Sequence, residues 1–237
     1  MGIAVSAAAR PRMVIVTATA GFRHDSIATA EQVLSTLVDA DIIWARTEDD
    51  VRAYLSPAEL GGVAAVFFVN TTGELPHASA DALLAWVRGG GTFVGFHSAT
   101  DTWHSVPEYI EMIGAEFIAH PPEIAAPVYV DDREHDATRT LDSPHVLYEE
   151  FYYFQHVDLT KLRPLLSLRN RPEPPEDAGY WPLAWETSYG AGRVLYTALG
   201  HRDDVWTSEW FHAHLTGIVT WALTEAPSRP KRRAVRH

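Results

Sequence analysis

The chain has 237 residues, 46% of them hydrophobic, and a formal net charge of -12 at pH 7. This length suits one α/β domain or two small ones, and the negative charge argues against nucleic-acid binding through the phosphate backbone. The chain contains 0 cysteines, which excludes disulfides, thiolate metal sites and cysteine nucleophiles, and fits a cytoplasmic, reducing location.

The two ends of the chain are predicted to lie outside the folded domain. Residues 1–11 carry a short apolar run without a basic flank before it, so we interpret them as a disordered leader and not as a secretory signal. Residues 227–237 are basic and are predicted to form a disordered, solvated tail. The remaining residues, 12–226, are predicted to form one α/β domain. No apolar run is long enough to span a bilayer, so no membrane partner is expected.

Strand-like and helix-like segments alternate through the first half of the chain. Four segments have the apolar, β-branched or aromatic composition of strands buried on both faces. They are 13–19, 41–45, 63–70 and 92–96. Helix start signals stand at Asp25, Ser56 and Ser105, and a further helix at 79–88 ends at three glycines. This alternation predicts a single doubly wound, mostly parallel sheet with helices on both faces.

The second half of the chain is richer in strands. Strands are predicted at 117–122, 126–130 and 165–168, and a hairpin at 183–188 and 193–199. The proline-rich segment 171–177 is predicted to be a surface loop. Ser208 is expected to cap a final helix that extends to about residue 226. We expect this half to extend the sheet and to close over a site.

Three histidines follow predicted strands, at the points where those strands end. His24 follows the first strand, His97 the fourth and His201 the late strand 193–199. The carboxyl ends of parallel strands share one edge of a sheet, and ligands collect there. Glu149 and Glu150 can reach the same rim. A histidine and a carboxylate in one cleft form an acid–base pair near neutral pH. A divalent metal held by His24, His97 and His201 is the alternative, although no local ligand spacing such as His-Glu-x-x-His supports it.

Cationic and aromatic side chains adjoin these histidines. Arg23 and Arg202 each neighbour a candidate histidine, where they can bind sugar hydroxyls or a carboxylate, or form surface ion pairs. Trp103 and Trp206 can stack on a sugar ring or fill the core. His120 can join the same rim.

The sequence resembles the ThuA-like (trehalose utilisation) family over residues 13–222. The resemblance rests on six segments, which are Gly21-Phe22-Arg23-His24, the run from Gly89 to His97, Asp101 with Trp103, Phe117 with His120-Pro121, Glu149-Glu150-Phe151-Tyr152, and Tyr189 to Val194 with Gly200-His201. It implies a class I glutamine amidotransferase-like fold, which is related to flavodoxin-like sheets. Asp101 and Tyr152 thereby join the expected substrate contacts.

The resemblance also limits the chemistry. In the amidotransferases a cysteine follows the central strand in a sharp elbow, and His97 takes that place here. Without cysteine, glutamine hydrolysis through a thioester is unavailable. Ser98 lies one residue beyond the elbow and is therefore a poor substitute for the cysteine nucleophile. The family pattern usually has Asp-Glu before the aliphatic-Tyr pair; Glu149 replaces that aspartate, which leaves Glu150 and Tyr152 as the residues carried over.

The family is associated with bacterial disaccharide use, alongside dehydrogenases that make 3-keto sugars. The resemblance therefore implies a role in the use of a small-molecule sugar. We favour an enzyme, and we expect it to be cytoplasmic and able to form a homo-oligomer. We expect His97 and Glu150 to form the acid–base pair, with His24 and His201 polarising oxygen atoms or holding a metal. The other hypothesis is a non-catalytic sugar-binding or regulatory module on the same fold.

Overall fold

A computed structural model of the protein describes residues 9–169 and 181–224. Residues 1–8 of the leader predicted at 1–11 lie outside the described residues, as do the predicted loop at 171–177, the last residues of the predicted final helix and the basic tail at 227–237. Within the described ranges, no helix has both the length and the apolar character needed to cross a membrane.

The described residues form eleven strands and seven α-helices. The strands are β1 (Arg12–Val16), β2 (Asp41–Ala45), β3 (Ala65–Val69), β4 (Thr92–Phe96), β5 (Glu116–Ala119), β6 (Ile124–Val130), β7 (His145–Glu149), β8 (Tyr153–Gln155), β9 (Arg163–Leu168), β10 (Trp181–Tyr189) and β11 (Gly192–Thr197). The helices are α1 (Ile27–Leu37), α2 (Glu48–Tyr54), α3 (Pro57–Leu60), α4 (His77–Arg88), α5 (Pro107–Ile113), α6 (Asp203–Trp206) and α7 (Glu209–Leu223). A 3₁₀ turn at His97–Asp101 follows β4.

Nine of the strands form one sheet in the order β2-β1-β3-β4-β11-β10-β9-β6-β7. The first five strands are parallel, in the order typical of flavodoxin-like sheets, whereas the last four alternate in direction. The expectation of a mostly parallel sheet therefore holds for the first five strands only, and the sheet as a whole is mixed. The reason is local: β10 and β11 are joined by a tight turn, which can only connect antiparallel neighbours.

Helices cover both faces of the parallel strands, as the alternation predicts. Helices α1 and α7 pack with one apolar core, and α2 to α5 pack with a second core on the opposite face. Strand β4 serves both, since Val94 and Phe96 point to the first core and Phe93 to the second. Burial on both faces explains why these strands are continuously apolar.

Helix α2 was not predicted from the sequence. It begins with a capping box, in which the Thr47 side chain accepts a hydrogen bond from the Asp50 backbone N–H and the Asp50 carboxylate accepts one from the backbone N–H of Thr47. The Thr-x-x-Asp spacing is the signal that could have found it. Helix α1 starts one residue later than expected, with Ser26 rather than Asp25 at its N-cap.

Alanine at Gly192 is expected to destabilise the protein by about 1–3 kcal/mol or more. A Cβ at Gly192 would lie 2.0 Å from the carbonyl oxygen of Val87, so the β11 edge or the end of α4 must move. Gly61→Ala is the control, because a Cβ there meets nothing nearer than 3.8 Å. Urea unfolding of both variants measures the difference, and equal stability of the two would contradict the close approach.

His214 makes the stability of the fold depend on pH. Its ring is completely buried, with Nδ1 2.8 Å from the carbonyl oxygen of Ala137 and Nε2 3.2 Å from the Thr197 hydroxyl. Burial lowers its pKa from 6.5 to about 4. Between these values the unfolded chain binds a proton that the folded protein does not, so stability present above pH 6.5 falls as the pH drops towards 4.

His214→Asn is therefore expected to flatten the pH dependence of stability. Near pH 5 the slope of unfolding free energy against pH should decrease by up to about 1.4 kcal/mol per pH unit, because one titrating group is lost. Urea unfolding of both proteins between pH 4 and 7 measures the slopes. Parallel curves for the two proteins would show that His214 takes up its proton at the same pH in the folded and unfolded states, which contradicts the lowered pKa.

Candidate active site

The three strand-end histidines converge on one point. His24 lies in the loop after β1, His97 directly after β4 and His201 after β11. Nε2 of His97 lies 3.2 Å from Nε2 of His24 and 3.3 Å from Nδ1 of His201. The parallel order of β1, β4 and β11 brings these chain ends to the same edge of the sheet.

His97 is the centre of this group. It is completely buried, and its φ of 48° places it in the left-handed region, where non-glycine residues are uncommon. Its Nδ1 lies 3.0 Å from the carbonyl oxygen of Ala198. A carbonyl oxygen can only accept a hydrogen bond, so Nδ1 carries the proton and the Nε2 of the neutral ring offers a lone pair.

More polar atoms surround that lone pair than it can bind. Besides His24 and His201, the Tyr152 hydroxyl lies 2.7 Å from Nε2 of His97, and a carboxylate oxygen of Glu150 lies 3.7 Å away. One imidazole lone pair accepts one good hydrogen bond. Within residues 9–169 and 181–224, His24, His97, Glu150 and His201 form the one group of three or more histidine and carboxylate side chains arranged to hold a metal ion, with one ligand atom from each lying within 4.8 Å of the others.

The antiparallel half of the sheet supplies the carboxylate. Because β10, β9, β6 and β7 alternate in direction, β7 ends at the same edge as β11. Glu149 is the last residue of β7 and Glu150 follows it at that end. Oε2 of Glu150 lies 3.2 Å from Nδ1 of His201, and its Oε1 lies 3.3 Å from Nδ1 of His120.

Glu149 holds the loop that carries His201. One oxygen of its buried carboxyl group accepts hydrogen bonds from the backbone N–H groups of Gly200, at 2.9 Å, and His201, at 2.6 Å. Its other oxygen has no hydrogen-bond partner among the described residues. Burial raises its pKa to about 8, so Glu149 is a neutral acid at pH 7 that positions the loop.

The carbonyl oxygen of Gly200 fixes the same loop from the opposite side. It accepts hydrogen bonds from the Asn70 amide at 2.9 Å, the Trp206 indole at 2.7 Å and the Ser26 hydroxyl at 3.3 Å. Gly200 itself has a φ of 116°, a conformation that favours glycine. His201 is therefore held by backbone contacts and does not depend on its own side chain for its position.

The electrostatics keep the buried rings neutral. Burial first, and then the neighbouring His201 and His120, lower the pKa of His24 to about 4. Burial likewise holds the pKa of His97 well below its usual value. Burial raises the pKa of Glu150 and keeps the Tyr152 hydroxyl protonated. At neutral pH the centre thus combines the uncharged imidazoles of His24 and His97 with a carboxylate, Glu150, that is more basic than usual.

Four of the residues predicted to contact the substrate lie outside the histidine cluster. Arg23 is exposed and donates to the Thr17 carbonyl, and Asp101 pairs with His104 at 2.8 Å and is not one of the four clustered side chains. Trp103 and Trp206 are completely buried and present no ring face to a ligand. Their indole N–H groups bind backbone carbonyls, at Leu75 for Trp103, so both support the loops of the site.

Glu123 belongs to the site but was missed from the sequence. Its Oε1 lies 3.2 Å from Nε2 of His201, and its Oε2 accepts a hydrogen bond from Arg202 at 2.8 Å. It stands just before β6, which runs antiparallel to β7 and so begins at the edge where β7 ends. No local motif marks it, because the antiparallel pairing that brings it there cannot be read from its neighbours.

A surface cavity lies elsewhere. It measures 920 Å³ and lies between α5 and the β10–β11 turn, lined among others by Arg88, His104 and Lys161. None of the four clustered side chains lines it. We place the candidate active site at the histidine cluster because titratable groups with shifted pKa values converge there.

The fold and the site define an α/β protein with a histidine–carboxylate centre at the carboxyl ends of its parallel strands. The chain belongs to the ThuA family, described as trehalose utilisation, whose family model matches residues 12–222. No curated protein shows significant sequence similarity to it.

Solved structures support the same fold. A ThuA-like protein from Bacteroides uniformis superposes with a TM-score of 0.73 at 21% identity, covering 94% of this chain and 96% of its own. A ThuA-like protein from Parabacteroides merdae has a TM-score of 0.73 at 15% identity, with 93% and 92% covered. A β-galactosidase from Rahnella sp. R3 matches 90% of this chain with 31% of its own length, at 15% identity and a TM-score of 0.61.

Proposed function

We propose that the protein is an enzyme of carbohydrate metabolism that transfers a proton at the carbon beside the carbonyl group of a keto-sugar. Membership of the trehalose utilisation family supports the substrate class. The observation that carries the proposal is the convergence of His24, His97, His201 and Glu150, within 4.8 Å, on one buried point. A cytoplasmic location and homo-oligomeric assembly stay predictions.

The chemistry follows from the electrostatics of this point. A ketone at the sugar ring acidifies the neighbouring C–H, so a base of moderate strength can remove that proton if the carbonyl oxygen is stabilised. Glu150 has a raised pKa and lies beside the partly exposed His120 and His201, so it is the base. The imidazole groups and the Tyr152 hydroxyl stabilise the oxygen.

The opening of the site has surfaces that suit a sugar. The Phe22 side chain is 67% exposed, with its ring centroid 4.9 Å from that of His24. Tyr148 is 48% exposed, and the Arg202 guanidinium lies 5.0 Å from its ring centroid. Aromatic faces pack against the apolar faces of sugars, while an arginine binds hydroxyl groups.

Hydrogen–deuterium exchange tests the proposal directly. The protein is incubated in D₂O with trehalose, sucrose and their 3-keto forms, and proton NMR follows the signals next to the carbonyl. We expect loss of those signals in the keto-sugars alone, whether or not a product accumulates. Saturable binding of the sugars without exchange or turnover would contradict an enzyme and favour a sugar-binding module.

A further inference from the structure

The three histidines of the centre share a second structural feature. Each presents one ring nitrogen to the common point and has a partner on the other nitrogen. Nδ1 of His97 meets the Ala198 carbonyl at 3.0 Å, and Nδ1 of His24 lies 3.4 Å from the Ser98 hydroxyl. Nε2 of His201 meets Glu123 at 3.2 Å. Metal-ligating histidines show this pattern, because the outer partner fixes the ring and leaves the inner lone pair free.

The spacing of the inner atoms has the size of a coordination shell. The inner nitrogens of His24 and His201 lie 3.2 Å and 3.3 Å from that of His97. Oε2 of Glu150 lies 3.2 Å from His201 and 3.7 Å from His97. Ligand atoms about 2.0 Å from a tetrahedral zinc ion are about 3.3 Å apart. All four atoms lie within 4.8 Å of one another, so small inward shifts of the side chains bring them to bonding distance of one cation.

We propose that His24, His97 and His201 bind one divalent transition-metal ion through Nε2, Nε2 and Nδ1, with Glu150 at its fourth position. A cation also resolves the crowding at His97, where several polar atoms compete for one lone pair. Three imidazoles and a carboxylate suit zinc and its first-row neighbours, whereas magnesium and calcium prefer oxygen ligands alone.

The inference deepens the proposed function and rests on it only for the role of the ion. Three protein ligands with an exchangeable fourth position are typical of catalytic zinc sites. A sugar carbonyl oxygen that takes the fourth position is polarised by the cation, and Glu150 is then left beside the substrate as the base. The Tyr152 hydroxyl, released from His97, can donate to the same oxygen.

Metal titration of the resting protein tests the site without any sugar. Full-length protein is freed of metal with EDTA and titrated with Zn²⁺ by calorimetry and with Co²⁺ by visible absorption. We expect one equivalent to bind, with loss of that equivalent in His97→Asn and in the more exposed His201→Ala. Glu123→Gln should weaken binding by about 10–100-fold, because it removes the carboxylate behind His201.

His214→Asn is the matched control, since His214 is equally buried and also contacts a backbone carbonyl but lies outside the cluster. It should bind one equivalent as the wild type does. The chain has 12 histidines, so unchanged stoichiometry in His97→Asn and His201→Ala would overturn the proposal, as would the absence of binding to the wild type. A protein that binds the ion at the cluster but exchanges no sugar proton retains this inference and loses the proposed function. Exchange of sugar protons by a protein that binds no metal would retain the proposed function and overturn this inference.

Discussion

Replacement of His97 by asparagine is expected to lower the rate of proton exchange on a 3-keto-sugar by about 10²–10⁴-fold. The change removes Nε2, the atom around which His24, His201 and Tyr152 are arranged. Asparagine is chosen because it tolerates the left-handed backbone at this position, where φ is 48°. The loss of rate then reports chemistry and not a rearranged turn.

His214→Asn separates catalysis from burial. Both substitutions shorten a completely buried histidine whose Nδ1 contacts a backbone carbonyl. Exchange rates are measured by NMR at pH 7 with equal concentrations of folded protein, as judged by circular dichroism. We expect the His214 variant to retain the wild-type rate. Equal rates in wild type and His97→Asn would remove His97 from the mechanism.

Glu150→Gln is expected to reduce exchange by a similar factor, about 10²–10⁴-fold, because an amide cannot accept the sugar proton. The substitution keeps the size of the side chain and can retain the contacts with His120 and His201. The rate is measured with saturating Zn²⁺, so that weaker metal binding does not contribute. A large loss in kcat with little change in KM is the expected pattern.

The adjacent Glu149→Gln supplies the control for this experiment. Glu149 is already uncharged at pH 7, since its pKa is raised to about 8. Its structural role is to accept hydrogen bonds from the backbone N–H groups of Gly200 and His201. The glutamine carbonyl can accept the same bonds. We expect near wild-type exchange from this variant. Comparable losses in the two variants would show that the carboxylates act together on loop structure and that neither is specifically the base.

The sequence predicted the features that depend on short stretches of chain. Continuous apolar runs such as 92–96 predicted the parallel strands, and the position of His24, His97 and His201 at strand ends predicted that they lie together. The family resemblance favoured Glu150 over Glu149 and added Tyr152, and the structure places Glu150 and Tyr152 against His97. The local patterns were sufficient because parallel strands end at one edge.

Features that depend on distant pairings could not be predicted in the same way. Glu123 reaches His201 only because β6 and β7 pair antiparallel at the end of the sheet. Trp103 and Trp206 stand in or beside predicted loops, which suggested ligand contact, but their indole N–H groups bind backbone carbonyls inside the protein and both rings are buried, Trp206 at the end of α6. A loop position alone does not distinguish an aromatic ring that faces solvent from one that anchors the loop.

The most direct test of the central claim is a crystal structure of the Zn²⁺-loaded Glu150→Gln variant with 3-keto-trehalose. We expect the zinc anomalous signal among His24, His97 and His201, with the sugar carbonyl oxygen next to it. A sugar bound only in the 920 Å³ cavity beside α5, with no ion at the histidines, would contradict the account.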